Sequence, residues 1–343
     1  MTAARLMIQG APGSPYTRKM IALLRYRHIP YRFIVGAQDA DVGLPRPKVA
    51  LLPTFYFPGE DGELEAVVDS TPIIRRLEDH YPGRSVIPED PGLAFLDLLI
   101  EDYGDEWLTK AMFHYRWYYQ PDIEQAGSIL PRWRNLTATE ADIAPMSKFI
   151  AERQISRLYV VGSNDTTAPV IEASYRRFLD LFRAHMVNGP YVLGSRPSAC
   201  DFALYGQLTQ LAQFDPTPMA ETLARAPQVY AWVSVVDDLS GIDLDRSHWF
   251  DRGELPETLR PLLEEIGRVY VPALLANAAA LESGAAEVKT RIDGRPWTQV
   301  PFPYQARCLQ WLRQAYARLD GDDRAFVDAQ LTGTGCDRLF SAA

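Results

Sequence analysis

The stretch RLMIQGAPGSPYTRKMIALLRYRHIPYRFIV, residues 5–35, decides the fold. Its apolar run at 5–9 reads as a short strand, which Gly10, Pro12 and Gly13 then interrupt. Ser14 stands where an N-cap is wanted, since a hydroxyl oxygen there accepts one of the N–H groups that a first helical turn leaves unpaired, and Pro15 suits the next position. Met20, Leu23, Leu24 and Arg27 follow at helical spacing, and YRFIV (31–35) after Pro30 reads as a second strand. Strand, turn, helix and strand make a βαβ unit of ordinary size.

Outward from that unit, residues 36–48 are rich in glycine, proline and charge and read as irregular. LPTFYF (52–57) and LEAVVD (64–69) flank the turn cluster PGEDGE, which implies a hairpin. STPIIRRLEDHY (70–81) begins with capping residues, carries Pro72 in its first turn and aligns Ile73, Ile74, Leu77 and Tyr81 on one side. The order is therefore βαβ followed by ββα. YPGRSVIPEDPG (81–92) reads as a linker, after which strand signals vanish and helical patterns run at 93–119, 139–160, 170–188, 201–213, 227–238, 257–282, 302–319 and 322–331. Strands first and helices afterwards predict an α+β chain, with a small sheet domain at 1–82 and an all-helical domain at 93–343.

A formal charge of -9 opposes nucleic acid as a partner, because that affinity rests on clustered Lys and Arg. No signal peptide and no membrane span is expected, which makes the cytoplasm the default compartment. The three cysteines, 200, 308 and 336, are far apart and odd in number, a pattern of neither disulfides nor a C-x-x-C metal site. The five histidines lack H-x-x-x-H spacing, so no metal is expected, and neither a phosphate-binding P-loop nor a G-x-S-x-G elbow occurs.

SPYTRK at the first helix, LLPTF at the third strand and VVDSTPI at the fourth, in that order along a βαβ–ββα module, resemble the glutathione S-transferase family. LGSRPSACDFALYGQL (193–208) is similar to the family's helix-capping segment in its C-terminal domain. The resemblance implies a thioredoxin-like domain over 1–82 that binds glutathione as cosubstrate, and a helical domain that offers a pocket to a small hydrophobic electrophile. It also implies a homodimer. Residues 240–343 exceed the usual family length and form an extension whose role the resemblance does not supply.

Carried onto this chain, the resemblance makes Ser14 the hydroxyl that favours the thiolate of glutathione, with Tyr16 as the alternative donor; aromatic residues in that place more often form a wall. Thr17 replaces the second cysteine of redox-active relatives, so disulfide exchange is not expected. Pro53 matches the family's cis-proline, which exposes the main chain of Leu52 to the cysteinyl part of glutathione; a trans proline opening a strand is the plain alternative. Asp69 and Ser70 match the pair that holds the γ-glutamyl group, ammonium on Asp69 and carboxylate on Ser70 and the helix N-terminus, although both also suit capping. Many relatives carry a lysine two residues before the cis-proline for the glycyl carboxylate, and this chain has Leu51 there, with Arg46 and Lys48 further back. That departure keeps open a second reading, a non-catalytic scaffold with little glutathione affinity.

Other patterns carry plainer expectations. Glu101, Asp102, Asp105 and Glu106 pair at i, i+4 and read as a solvated or domain-facing helix side. AMFHYRWYY (111–119) reads as core or interface, and Ser198 with Asp201 has capping-box spacing.

Overall fold

The computed structural model describes residues 5–35, 43–59 and 63–341. Strand β1 (Leu6–Gly10), helix α1 (Pro15–Tyr26) and β2 (Tyr31–Val35) form the expected βαβ unit, and β3 (Thr54–Pro58), β4 (Leu64–Val67) and α2 (Ser70–His80) follow. The sheet order is β2-β1-β3-β4. β1 runs parallel to β2, with Ile8 opposite Phe33, and antiparallel to β3, with Ile8 opposite Phe55; β4 completes the hairpin with Phe55 opposite Val67. Residues 60–62 of the expected turn, and 36–42 of the irregular stretch, lie outside the described residues.

The rest is helical: α3 (Pro91–Tyr103), α4 (Thr109–Tyr118), α5 (Gln120–Arg134), α6 (Glu140–Ile155), α7 (Ala168–His185), α8 (Ala199–Leu211), α9 (Pro216–Arg225), α10 (Pro227–Val236), α11 (Leu259–Glu265) and α12 (Val271–Glu282). Then come a β5 (Val288–Ile292) and β6 (Arg295–Gln299) hairpin, α13 (Pro303–Arg318) and α14 (Gly321–Leu331). The hairpin corrects the expectation that strands stop at residue 93. Its turn, Asp293 and Gly294, has both φ angles positive at 51° and 72°, the turn geometry that matches the twist of two strands. The helical run expected at 93–119 is real, but a π-helical turn at Gly104–Leu108 divides α3 from α4. No helix among the described residues is long and apolar enough to cross a membrane.

Helix α1 lies between the sheet and α8. Met20, Leu23 and Leu24 are fully buried, as their spacing predicts. A Cβ on Gly206 of α8 would stand 2.6 Å from the Pro15 carbonyl oxygen, so glycine lets α8 approach the first turn of α1. Asp201 accepts the Ser198 main-chain N–H at 2.9 Å, which realises the expected capping box at the start of α8.

A buried ion cluster fastens the sheet module to the helices. Lys19 of α1, 0% exposed, donates to Glu101 Oε1 at 2.8 Å and Asp105 Oδ2 at 2.6 Å, both from the α3 side, and to Ser70 Oγ of α2 at 3.1 Å. Glu101 also accepts from Thr71 at 3.1 Å and from Arg75 at 3.1 Å. The acidic residues of this helix are therefore domain-facing, and Glu101, Asp105 and Glu106 are buried rather than solvated. A π turn changes the phase of a helix's buried face, and Asp105 and Glu106 lie within it.

Two outcomes follow from this cluster. Lys19→Met leaves two buried carboxylates facing one another and should cost about 3–5 kcal/mol in urea unfolding; a loss below about 1 kcal/mol would show that the lysine is not what holds the module. Asp102, which accepts from the Tyr270 hydroxyl, is pushed up from 3.8 to about 7 by desolvation and by Asp105 and Glu101, against the pull of Tyr270. A raised carboxyl binds its proton more tightly folded than unfolded, so its contribution is complete at low pH and fades as pH climbs to about 7. The melting temperature of Asp102→Asn should accordingly gain on that of the unaltered chain between about pH 4 and pH 7, and a constant difference would contradict this.

Candidate functional site

Chemistry-bearing groups gather where the start of α1, the loop before β3 and the start of α2 meet. The loop that presents Ser14 is tied down from behind. Arg116 of α4 is buried with its guanidinium on Asp215, Nε to Oδ1 at 2.9 Å and Nη2 to Oδ2 at 2.8 Å, and its Nη1 donates to the Gly13 carbonyl at 3.0 Å. Gln210 of α8 donates to the Pro12 carbonyl at 3.2 Å and accepts from Arg116 at 2.7 Å. A planar fork held by a carboxylate has little freedom, so it fixes the main chain one residue before Ser14.

Ser14 caps α1 as the sequence predicts: its φ and ψ are -96° and 118°, and its Oγ accepts the Thr17 N–H at 3.2 Å. The same hydroxyl donates to the Leu52 carbonyl at 3.3 Å. The Leu52–Pro53 bond is cis, and Leu51 and Leu52 are 51% and 42% exposed. The structure thus brings Ser14, Leu52 and Pro53 together at an accessible edge.

Tyr16 faces elsewhere. Its hydroxyl donates to the Asp105 carbonyl in the π turn at 2.7 Å, and burial together with Glu106 and Asp105 holds its pKa well above 10. It is a protonated donor whose proton is already placed, and it ties α1 to the helical part.

At the start of α2 the expected pair divides. Asp69 has φ 88° and ψ 108°, a left-handed conformation that a residue with a Cβ seldom adopts and that sites of function often hold. Its side chain makes no capping hydrogen bond on α2; Oδ2 instead accepts from the Tyr304 hydroxyl of α13 at 2.9 Å. Desolvation raises the Asp69 carboxyl, and Tyr304, Lys19 and the Thr71 main-chain N–H pull it back. The Ser70 hydroxyl is buried and accepts from Lys19 at 3.1 Å, where the resemblance implies a contact with a ligand carboxylate. What α2 offers outward is its main-chain N-terminus, with no side chain capping it and Asp69 beside it.

Side chains of α5 close one flank of Ser14. A Cβ on Gly13 would overlap Leu130 and Trp133, and Trp133 packs on Phe214 with ring centroids 5.0 Å apart. All three are half-buried and apolar. The aromatic run of α4 is mostly core, with His114, Tyr115 and Trp117 buried, while Tyr118 and Tyr119 are half-buried. No group of three or more metal-ligating residues occurs among the described residues. Sequence reasoning missed Lys19, Arg116 and Tyr304, whose partners lie far along the chain.

A family model for the glutathione S-transferase N-terminal domain matches residues 9–85, and one for the glutathione S-transferase C-terminal domain matches residues 150–234. Residues 86–149 and 235–343 fall outside both matches. Similar solved structures include a glutathione transferase from Burkholderia graminis with two glutathione molecules bound per subunit, 15% identical, TM-score 0.43, covering 67% of this chain and 82% of that one. Another is a glutathione S-transferase from Methylobacterium radiotolerans in complex with glutathione sulfonate, 19% identical, TM-score 0.39, covering 68% and 91%. A third is a maleylacetoacetate isomerase from Anaeromyxobacter dehalogenans with bound dicarboxyethyl glutathione and citrate, 15% identical, TM-score 0.35, covering 69% of this chain and 92% of that one. No curated protein matches. With both domains matched in order along one chain, the protein belongs to the glutathione S-transferase family.

Proposed function

We propose that this protein is a glutathione transferase in which Ser14 activates the thiol of glutathione for attack on a small hydrophobic electrophile. The observation that carries the reading is the double engagement of Ser14 Oγ, which accepts from Thr17 N–H and donates to the exposed Leu52 carbonyl. Capping uses a lone pair of the oxygen and leaves its proton transferable. When the Leu52 main chain pairs with the cysteinyl backbone of glutathione, the hydroxyl proton is free to turn from that carbonyl to the sulfur.

A cysteine-like thiol has a pKa near about 8.5, and each unit by which the thiolate is favoured corresponds to about 1.4 kcal/mol. A hydroxyl donor and the partial positive charge at the N-terminus of α1 both act in that direction. The Thr17 N–H bond to Oγ polarises the hydroxyl further. Tyr16, the alternative donor, has its proton on Asp105, so activation falls to Ser14.

The γ-glutamyl end fits the start of α2. Its carboxylate is suited to the open helix N-terminus and its ammonium to Asp69, which together recognise an α-amino acid. The apolar flank formed by Leu130, Trp133 and Phe214 supplies a wall for the electrophile, and holding both reactants there provides much of the acceleration. Three free, buried cysteines suit a reducing cytoplasm, and a homodimer is the assembly we expect.

Leu51, half-exposed where many relatives place a lysine, favours the rival reading of a scaffold with little glutathione affinity. Calorimetry separates the two: the enzyme reading predicts binding at millimolar glutathione or below, and no measurable heat at that concentration would support the scaffold. Ser14→Ala should raise the thiol pKa of bound glutathione by about 1–2 units and lower turnover by about 10- to 100-fold. Loss of the cap should cost only about 1 kcal/mol of stability. Unchanged thiol absorbance against pH, with unchanged turnover, would remove Ser14 from the mechanism.

A further inference from the structure

The stretch beyond the family matches sends one side chain into the site. Helix α13 lies in residues 235–343, outside both family models, and its Tyr304 donates to Asp69 Oδ2 at 2.9 Å. Among the described residues this is the side-chain hydrogen bond that the Asp69 carboxylate makes. Asp69 makes no side-chain capping hydrogen bond on α2, although the Thr71 main-chain N–H lowers its carboxyl, and its φ of 88° departs from ordinary capping geometry. From outside α2, Tyr304 is the group that holds the carboxylate.

Tyr304 is itself firmly placed. The Asn277 side chain of α12 grips both polar groups of Phe302, donating to its carbonyl at 3.0 Å and accepting its N–H at 2.7 Å, which fixes the chain just before α13 begins. Gln305, the next residue, is buried and donates to Glu106 at 3.3 Å. Trp311, two turns further on, meets the Tyr304 ring edge-on with centroids 6.2 Å apart. The hydroxyl therefore reaches Asp69 from a rigid support anchored at three points, across 235 positions of sequence.

We propose that Tyr304 is a positioning and specificity-determining residue for the α-amino group of the thiol substrate: it holds Asp69 so that the other oxygen, Oδ1, receives the ammonium of the γ-glutamyl group. Oδ2 is taken by the hydroxyl, and the tyrosine oxygen keeps a lone pair for a second ammonium N–H. The extension thus completes the amino-acid end of the site rather than lying apart from it. This inference rests on the reading of the protein as a glutathione-binding enzyme, and deepens it at one subsite.

The test measures binding and steady-state kinetics of the unaltered chain and of Tyr304→Phe, with glutathione and with N-acetylglutathione, whose amide cannot carry the ammonium charge. The expected result is a rise of about five- to tenfold in Kd and KM for glutathione, the size of one lost hydrogen bond, at unchanged kcat. N-acetylglutathione should bind both proteins equally. In the background of Asp69→Asn, Tyr304→Phe should have little further effect, because the two side chains act as a pair. A merely structural tyrosine would move the melting temperature and leave the contrast between the two ligands untouched. If the unaltered chain binds glutathione and Tyr304→Phe binds it equally well, this inference fails and the parent reading stands. If the unaltered chain binds no glutathione at millimolar concentration, both fail.

Discussion

One buried lysine organises this molecule. Lys19 reaches from α1 into a space shared by α2 and α3, where Ser70, Glu101 and Asp105 receive it. Removing a charge from water is expensive, and the expense is met only if the partners are present and well placed. The cluster therefore sets how the first helix sits against the rest, and the positions of Ser14 and of the start of α2 follow from it. Burial pushes Asp105 up to about 6 even beside the lysine, while Glu101, facing both Lys19 and Arg75, is held below its ordinary value.

From that arrangement the site inherits its order. The far side of the Ser14 loop is secured by Arg116 and Gln210, and the near side meets the exposed Leu52 carbonyl. Inward-facing groups are already satisfied: the Ser70 hydroxyl by Lys19, the Tyr16 hydroxyl by Asp105. Nearer the surface are the Ser14 hydroxyl, the exposed Leu52 main chain and, at the start of α2, Asp69. In the function we propose, this row would recognise a thiol joined to an α-amino acid through a peptide.

The sheet module was legible because its signals are local. Ser14 with Pro15, the apolar spacing of α1 and the Leu52–Pro53 pair each act within a few residues, and each appears where the pattern placed it. The expected helical runs leave out 120–138 and 214–226, yet α5 and α9 form there, with Pro121 and Pro216 in the tolerated first turn of each helix. Between the expected runs 257–282 and 302–319 lies the β5–β6 hairpin, whose signal is short: Val288, Thr290 and Ile292 alternating before an Asp-Gly turn. Of the site, the residues on α1 and before β3 could be found from motif and cap chemistry. The contacts of Lys19 with Glu101 and of Tyr304 with Asp69 could not, since no periodicity records pairings across 82 and 235 positions. The inward turn of Ser70 belongs with them, as it depends on the lysine.

The most direct measurement of the central claim is a crystal structure of the full chain soaked with glutathione. The account predicts the sulfur within hydrogen-bond distance of Ser14 Oγ, the cysteinyl backbone paired with Leu52, and the γ-glutamyl group between the start of α2 and Asp69, with Tyr304 still on the carboxylate. Glutathione seated with its sulfur away from Ser14, or its γ-glutamyl group away from Asp69, would contradict it.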